Sequence, residues 1–151
     1  MAEAGARLIL AFDFGTRRIG VAVGNELLAS ARQLEWLPAR DGIPDWNVVT
    51  RLVEEWQPDL FVVGLPLNMD GTESEMSTRA RKFGKRLYGR YGKPCEMVDE
   101  RGSTREAKAI AREKGLLRSD KSYRDDGVDG IAAVLILESW FARREGLPPR
   151  R

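Results

Sequence analysis

Residues 8–14 read "LILAFDF", an apolar run interrupted by one carboxylate, Asp13. A run with so little alternation predicts a strand covered on both faces, here residues 7–14. "GTRR" at 15–18 turns the chain, and residues 19–24 predict a second strand that closes a hairpin on the first. Residues 27–37 predict a third antiparallel strand and 38–44 a loop. Trp46, Val49, Leu52, Val53 and Trp56 recur at helical spacing, so 45–57 predicts a helix ended by Pro58. "DLFVVGLP" at 59–66 is a buried strand, followed by a loop with turn chemistry at Asp70-Gly71. Met76, Ala80, Phe83, Leu87 and Tyr91 stripe a second helix over 74–91, and "PCEMV" at 94–98 is a fifth strand. Ser103 and Glu106 have capping-box spacing and open a third helix that stops near Gly115. A polar loop at 116–124 leads into a last helix over 125–144, apolar on most sides and therefore central, and 146–151 is a frayed tail.

A three-strand meander followed by alternating helices and strands implies an α/β chain with one mixed five-stranded sheet, antiparallel at the meander and parallel beyond it, flanked by helices. A length of 151 residues fits a single domain over 1–151. No apolar run reaches the ~20 residues of a membrane helix, and the N-terminus lacks a secretory pattern. The expectation is a soluble cytoplasmic protein with no membrane partner.

Composition narrows the chemistry. The chain has no histidine and one cysteine, Cys95. Imidazole bases, Ser-His-Asp and Cys-His catalysis, an internal disulfide and a cysteine-based zinc site are thereby removed. Catalysis must run on carboxylates, lysines, tyrosines or water. Cys95 reads as a small packing residue, and Trp36, Trp46, Trp56 and Trp140 as packing rather than base-stacking platforms.

The acids are therefore the informative residues. An ionised carboxylate inside an apolar strand costs several kcal/mol unless compensated. Asp13 taken alone reads as a turn aspartate bonded to the "GTRR" amides, or as a partner of Arg17 or Arg18. Asp99 and Glu100 close the fifth strand, and Asp125, Asp126 and Asp129 open the last helix. Acids at a helix start are favourable by themselves. However, Asp129 lies three and four residues after Asp126 and Asp125, on one helix face, directly before the apolar "IAAVLIL". Like charges aimed at a core are better explained by a cation. Oxygen ligands without histidine select magnesium or manganese, ions that activate water and stabilise a pentavalent phosphate.

Residues 79–93, "RARKFGKRLYGRYGK", carry seven basic residues and no acid. Arg79, Lys82, Arg86 and Arg90 share a stripe opposite the apolar one. One-signed charge along a helix fits either a solvated face or a phosphate-backbone partner. Beside a carboxylate site, nucleic acid is the better reading, its charge supplying affinity without sequence information. Arg17, Arg18 and Arg101 adjoin the acids and are placed to hold the scissile phosphate or to pair with the acids at rest.

"LAFDFGTRRIGVAV", "VVGLPLNMDGTE", "VDERGSTREA" and "VDGIAAVLIL" stand in the order and spacing of the YqgF/RuvX-type family, which the chain resembles over nearly its whole length. The resemblance implies a ribonuclease H-like fold, whose element order matches the one above, and a magnesium- or manganese-dependent nuclease. Its motif acids map to Asp13, Glu100 and Asp129 as catalytic and metal-holding residues. Asp126 is a fourth metal ligand by the same resemblance, Asp125 a poorer candidate, and Asn68 a substrate contact. In the wider resolvase superfamily the second acid sits on the strand after the first helix. Here that strand ends in "VVGLPLN" with no acid, so Glu100 must reach in from its neighbour. The implied activity is processing of the 5′ end of pre-16S ribosomal RNA within a precursor particle, leaving a 5′-phosphate and a 3′-hydroxyl. The alternative substrate is a branched DNA junction. A junction resolvase should be a homodimer, whereas an RNA-trimming enzyme can be a monomer.

Two further readings belong to other classes. "DFGT" also resembles the phosphate hairpin of actin-like and sugar kinases, but those need two such domains. A binding module for RNA or protein that keeps the fold without chemistry is the other, and the complete acid set argues against it.

Overall fold

The computed structural model describes residues 7–68, 70–99 and 121–144, with the side chains of 121–130 and 143–144 excepted. The expected helix at 103–115, the stretch 116–120, Glu100, Arg101 and the 146–151 tail lie outside the described residues.

Seven strands form one sheet in the order β5-β4-β2-β1-β6-β7, with β3 also paired to β2. They are β1 (Leu8–Asp13), β2 (Arg18–Asn25), β3 (Ser30–Gln33), β4 (Leu37–Arg40), β5 (Ile43–Pro44), β6 (Leu60–Leu65) and β7 (Cys95–Asp99). β1 is antiparallel to β2 and parallel to β6, and β6 is parallel to β7. The mixed sheet is as expected, but its third strand is not continuous. Ala22 pairs with Gln33 and Ile19 with Leu37, so three steps along β2 match four along its partner. β3 and β4 are thus one strand carrying a one-residue bulge, which bends it and strengthens its twist. The strand also starts later than expected, because residues 26–29 form the turn after β2.

The expected loop at 38–44 is in fact a hairpin of β4 and β5. Its turn residues Asp41 and Gly42 have φ of 51° and 82°, as a type I′ turn requires. The Asp-Gly pair was a legible signal for this hairpin.

Helices cover both faces. α1 (Trp46–Trp56) is capped by Asp45, whose side chain accepts from the Asn47 amide, and ends at Gln57 in the left-handed region. α2 (Glu75–Tyr91) opens on a capping box between Ser74 and Ser77 and stops at Gly92. α3 (Lys121–Arg144) starts four residues earlier than expected, which places Asp125, Asp126 and Asp129 inside the helix rather than at its opening. Favourable charge at a helix start therefore does not account for them. No helix among the described residues is long and apolar enough to cross a membrane.

Strand alternation divides the core in two. Leu10, Phe12, Phe14, Ile19, Val21 and Val23 pack with Val49 of α1 and with Ala80, Phe83 and Leu87 of α2. Ile9, Ala11, Ala22, Leu60, Val62 and Val98 pack with Ala133, Ile136, Leu137, Trp140 and Phe141 of α3. The α3 side of β2 is built from Gly20, Ala22 and Gly24, so the helix sits close to the sheet. A Cβ at Gly24 would lie 2.6 Å from Leu137 Cδ2 and 2.5 Å from the Ser30 carbonyl oxygen. Gly24→Ala is expected to destabilise the protein by about 1–3 kcal/mol through overpacking. Urea unfolding checks this, and an unchanged midpoint contradicts the close packing.

Candidate active site

β1, β6 and β7 end at one edge of the sheet, the C-terminal edge where open α/β sheets place ligands. Asp13 is the last residue of β1. Ile9 and Ala11 face α3, and alternation puts Asp13 on that same face, half-buried. Its partner across the hairpin is Gly20. On the other side Phe12 pairs with Val63, so the next position along β6 is Gly64. Neither flanking residue has a side chain, and the carboxylate stands in a gap between two glycines. A carboxylate oxygen at the end of such a gap fits a small hard cation.

The far end of α3 fixes its direction. Trp140 Nε1 donates to Glu96 Oε1 at 2.8 Å, and the Arg7 guanidinium lies 5.6 Å from the centre of the Trp140 ring. Arg7 in turn meets Glu26 at 2.8 Å. The C-terminal part of α3 thus sits at the start of β1 and the helix runs antiparallel to it. Trp140 to Asp129 spans about 16 Å of helix, and Arg7 to Asp13 about 20 Å of strand. Position 129 is therefore near the level of Asp13. It precedes Ala133 by one turn and position 126 precedes it by two, in line with the stripe that packs on the sheet.

Asp99 is turned away. Val98 faces α3, whereas Cys95 and Met97 pack on the α2 side, so alternation gives Asp99 to the α2 side as well. Among the described residues no group of three acids or cysteines is placed to hold a metal. Of the expected set, Asp13 alone has a described side chain.

The turn after Asp13 is tightly held. A Cβ at Gly15 would collide with the Arg18 carbonyl oxygen. The Ala39 amide donates to the Arg17 carbonyl at 2.8 Å and the Gly42 amide to the Thr16 carbonyl at 2.9 Å. The β4–β5 hairpin thus braces the turn, a role the sequence reading missed. Arg17 is exposed at the crest. Arg18 lies on the α3 face with its guanidinium 5.3 Å from the centre of the Trp36 ring.

Asn68 has structural work. Its Nδ2 donates to Thr72 Oγ1 at 3.0 Å and to the Glu73 carbonyl at 3.2 Å, closing the loop before α2. Ser74 Oγ donates to the Pro66 carbonyl at 2.7 Å across the same loop.

The basic face of α2 is divided by its partners. Arg81 pairs with Glu73 at 3.0 Å, which holds the Glu73 carboxyl below its usual range. Arg90 stacks 4.2 Å from the centre of the Trp46 ring, so it leaves the expected stripe for a packing role. Arg79, Lys82 and Arg86 remain together around a cavity of about 220 Å³, shared with Phe14, Phe83 and the β4–β5 turn. Arg79 meets Asp41 of that turn at 3.0 Å.

The tryptophans are packing residues, as expected: Trp140 is buried and the other three are partly buried, each of the four beneath an arginine. Burial, with a smaller contribution from Glu96, pushes the Cys95 thiol up to about 12. It stays protonated at neutral pH and is no nucleophile.

Known proteins match the chain in sequence and in fold. The family model described as RuvX, Holliday junction resolvase, matches residues 7–143. A Chromohalobacter salexigens protein named "Putative pre-16S rRNA nuclease" is 75% identical over 142 residues, 94% of each chain. A Marinobacter nauticus protein of the same name is 56% identical over 146 residues, covering 97% of this chain and 100% of that one. Among solved structures, Thermus thermophilus RuvC in complex with Holliday junction substrate superposes with a TM-score of 0.50 at 17% identity, over 95% of this chain and 98% of that one. The fowlpox virus Holliday junction resolvase gives 0.52 at 15% identity, over 91% and 99%. At these identities the two structures establish the ribonuclease H-like resolvase fold.

Proposed function

This chain belongs to the RuvX family, and from that premise we propose that it is a metal-dependent nuclease that hydrolyses phosphodiester bonds at the C-terminal edge of its sheet. The substrate is the 5′ end of pre-16S ribosomal RNA, in keeping with the names of relatives 75% and 56% identical. The observation that carries the reading is Asp13, held between Gly20 and Gly64 on the face that α3 crosses.

Asp13, Glu100 and Asp129, with Asp126 as a fourth, are the residues assigned to hold the ion. Their all-oxygen donor set suits magnesium or manganese. Such an ion, when bound, supplies water activation and neutralises charge on the phosphate in flight. The chain's own contribution is placement. Asp13 is fixed by the strand, its turn is fixed by the hairpin, and positions 129 and 126 are carried on the helix that docks on the same face. Arg17, Arg18 and Arg101 are assigned to the phosphate being cut, and Arg79, Lys82 and Arg86 to the backbone beyond it. Asn68 is assigned to shaping the loop, with its exposed face open to substrate. The site of action is the cytoplasm, on free precursor or precursor particle.

A branched DNA junction is the second substrate, on the strength of the family's description. Symmetric cutting of a junction calls for a homodimer, whereas RNA trimming does not require one.

The test is end-labelled precursor RNA incubated with magnesium, with manganese and with chelator. Cutting with either metal and none in chelator is expected, with 5′-phosphate and 3′-hydroxyl product ends. Cutting that persists in chelator contradicts the proposal.

A further inference from the structure

We infer that the basic groove on α2 is a second nucleic-acid subsite, separated from Asp13 by the thickness of the sheet, so that the substrate must bend over the sheet edge. This rests on nucleic acid being the substrate, as proposed above. The argument begins with two adjacent residues. Asp13 faces α3, while Phe14 faces α1 and α2 and lines the groove with Phe83. Scissile site and groove are therefore back to back across the end of β1.

The groove is suited to a phosphate chain. It gathers Arg79, Lys82 and Arg86 against one carboxylate, Asp41, which is exposed and bound to Arg79 at 3.0 Å. Lys82 and Arg86 have no ion-pair partner among the described residues. An exposed carboxylate pairing one arginine contributes little and yields readily to a phosphate. Ile43, which is 52% exposed, adds an apolar contact at the rim for a sugar or base. Between groove and Asp13 lies the braced turn, with exposed Arg17 on its crest.

A strand that touches both faces must turn sharply within about one protein layer, roughly 10 Å. Continuous duplex is stiff over far longer distances, with a persistence length of about 50 nm. The site therefore selects nucleic acid with a flexible joint at the cut: a single strand leaving a helix, or a branch point. A precursor end and a four-way junction share that joint.

The experiment measures binding in chelator, so that no cutting intervenes. Three labelled RNAs are compared: a precursor end carrying its flanking strand, the same RNA truncated at the scissile position, and a continuous duplex. The protein is wild type, K82E/R86E, K82A/R86A, or K85E, which reverses a single charge on another face of α2. The three variants are checked for a thermal midpoint unchanged from wild type. K82E/R86E is expected to weaken the flanked RNA about tenfold or more and the truncated RNA by less than about twofold. K82A/R86A should lower the salt slope on the flanked RNA by about 1.4, at about 0.7 for each phosphate contact. K85E should leave both RNAs within about twofold of wild type. Equal weakening of flanked and truncated RNA overturns the subsite, as does K85E matching K82E/R86E or a wild type that binds continuous duplex as tightly as the flanked RNA. Failure of the nuclease proposal shows separately, as absence of cutting with metal.

Discussion

Asp13→Asn removes cleavage by roughly 10³-fold or more and leaves fold and nucleic-acid affinity in place. The two side chains have nearly the same shape, and the position is half-buried at a strand end between Gly20 and Gly64. Little packing therefore changes. What is lost is an anionic oxygen, the ligand a hard cation requires. Removing one negative charge beside a bound phosphate holds affinity level or raises it. Single-turnover cleavage, a binding titration in chelator and a thermal melt measured together check this outcome. Cleavage within about tenfold of wild type contradicts the assignment. Loss of cleavage accompanied by loss of binding or of the melting transition makes Asp13 a structural residue.

Phe83→Ala is expected to cost about 3–5 kcal/mol of stability. The ring is buried where α2 meets the sheet, with centroids 5.4 Å from Phe12, 5.4 Å from Phe14 and 5.9 Å from Trp46. Its removal leaves a cavity between three large side chains that rigid strands and a capped helix cannot close. At this chain length that loss lowers the melting temperature by roughly 6–20 °C. Because Phe83 lies on the α2 side, the folded fraction should keep its metal dependence and lose affinity for flanked RNA. A cost under about 1 kcal/mol contradicts the packing described for the α2 face.

The strongest strands and helices were legible because their periodicity comes from burial on known faces. The same alternation, carried through to the three-dimensional pairing, assigns Asp13 to the α3 side and Asp99 to the other. What escaped has local causes. The bulge between β3 and β4 adds one residue to a strand, and no hydrophobic pattern announces it. β5 is only two residues long, too short for a period, although Asp41-Gly42 marked its turn. α3 extends back through Lys121, Ser122, Tyr123 and Arg124, which are polar enough to read as loop. The family signature marks Asn68 as a substrate contact; its hydrogen bonds to Thr72 and Glu73 depend on a loop closure that spacing does not reveal. Asp13 drew attention as a buried charge. It is half-buried, at the end of β1 between Gly20 and Gly64. Of its proposed partners, Glu100 rests on family resemblance, and Asp126 and Asp129 on family resemblance and helix register.

The most direct measurement runs end-labelled pre-16S RNA and a synthetic four-way DNA junction side by side, with manganese, magnesium or chelator, for wild type and Asp13→Asn. The account predicts metal-dependent cutting of the RNA by wild type and none by Asp13→Asn, with both proteins binding. If neither substrate is cut while both proteins bind equally, the acids are not a catalytic site and the chain is a nucleic-acid-binding module.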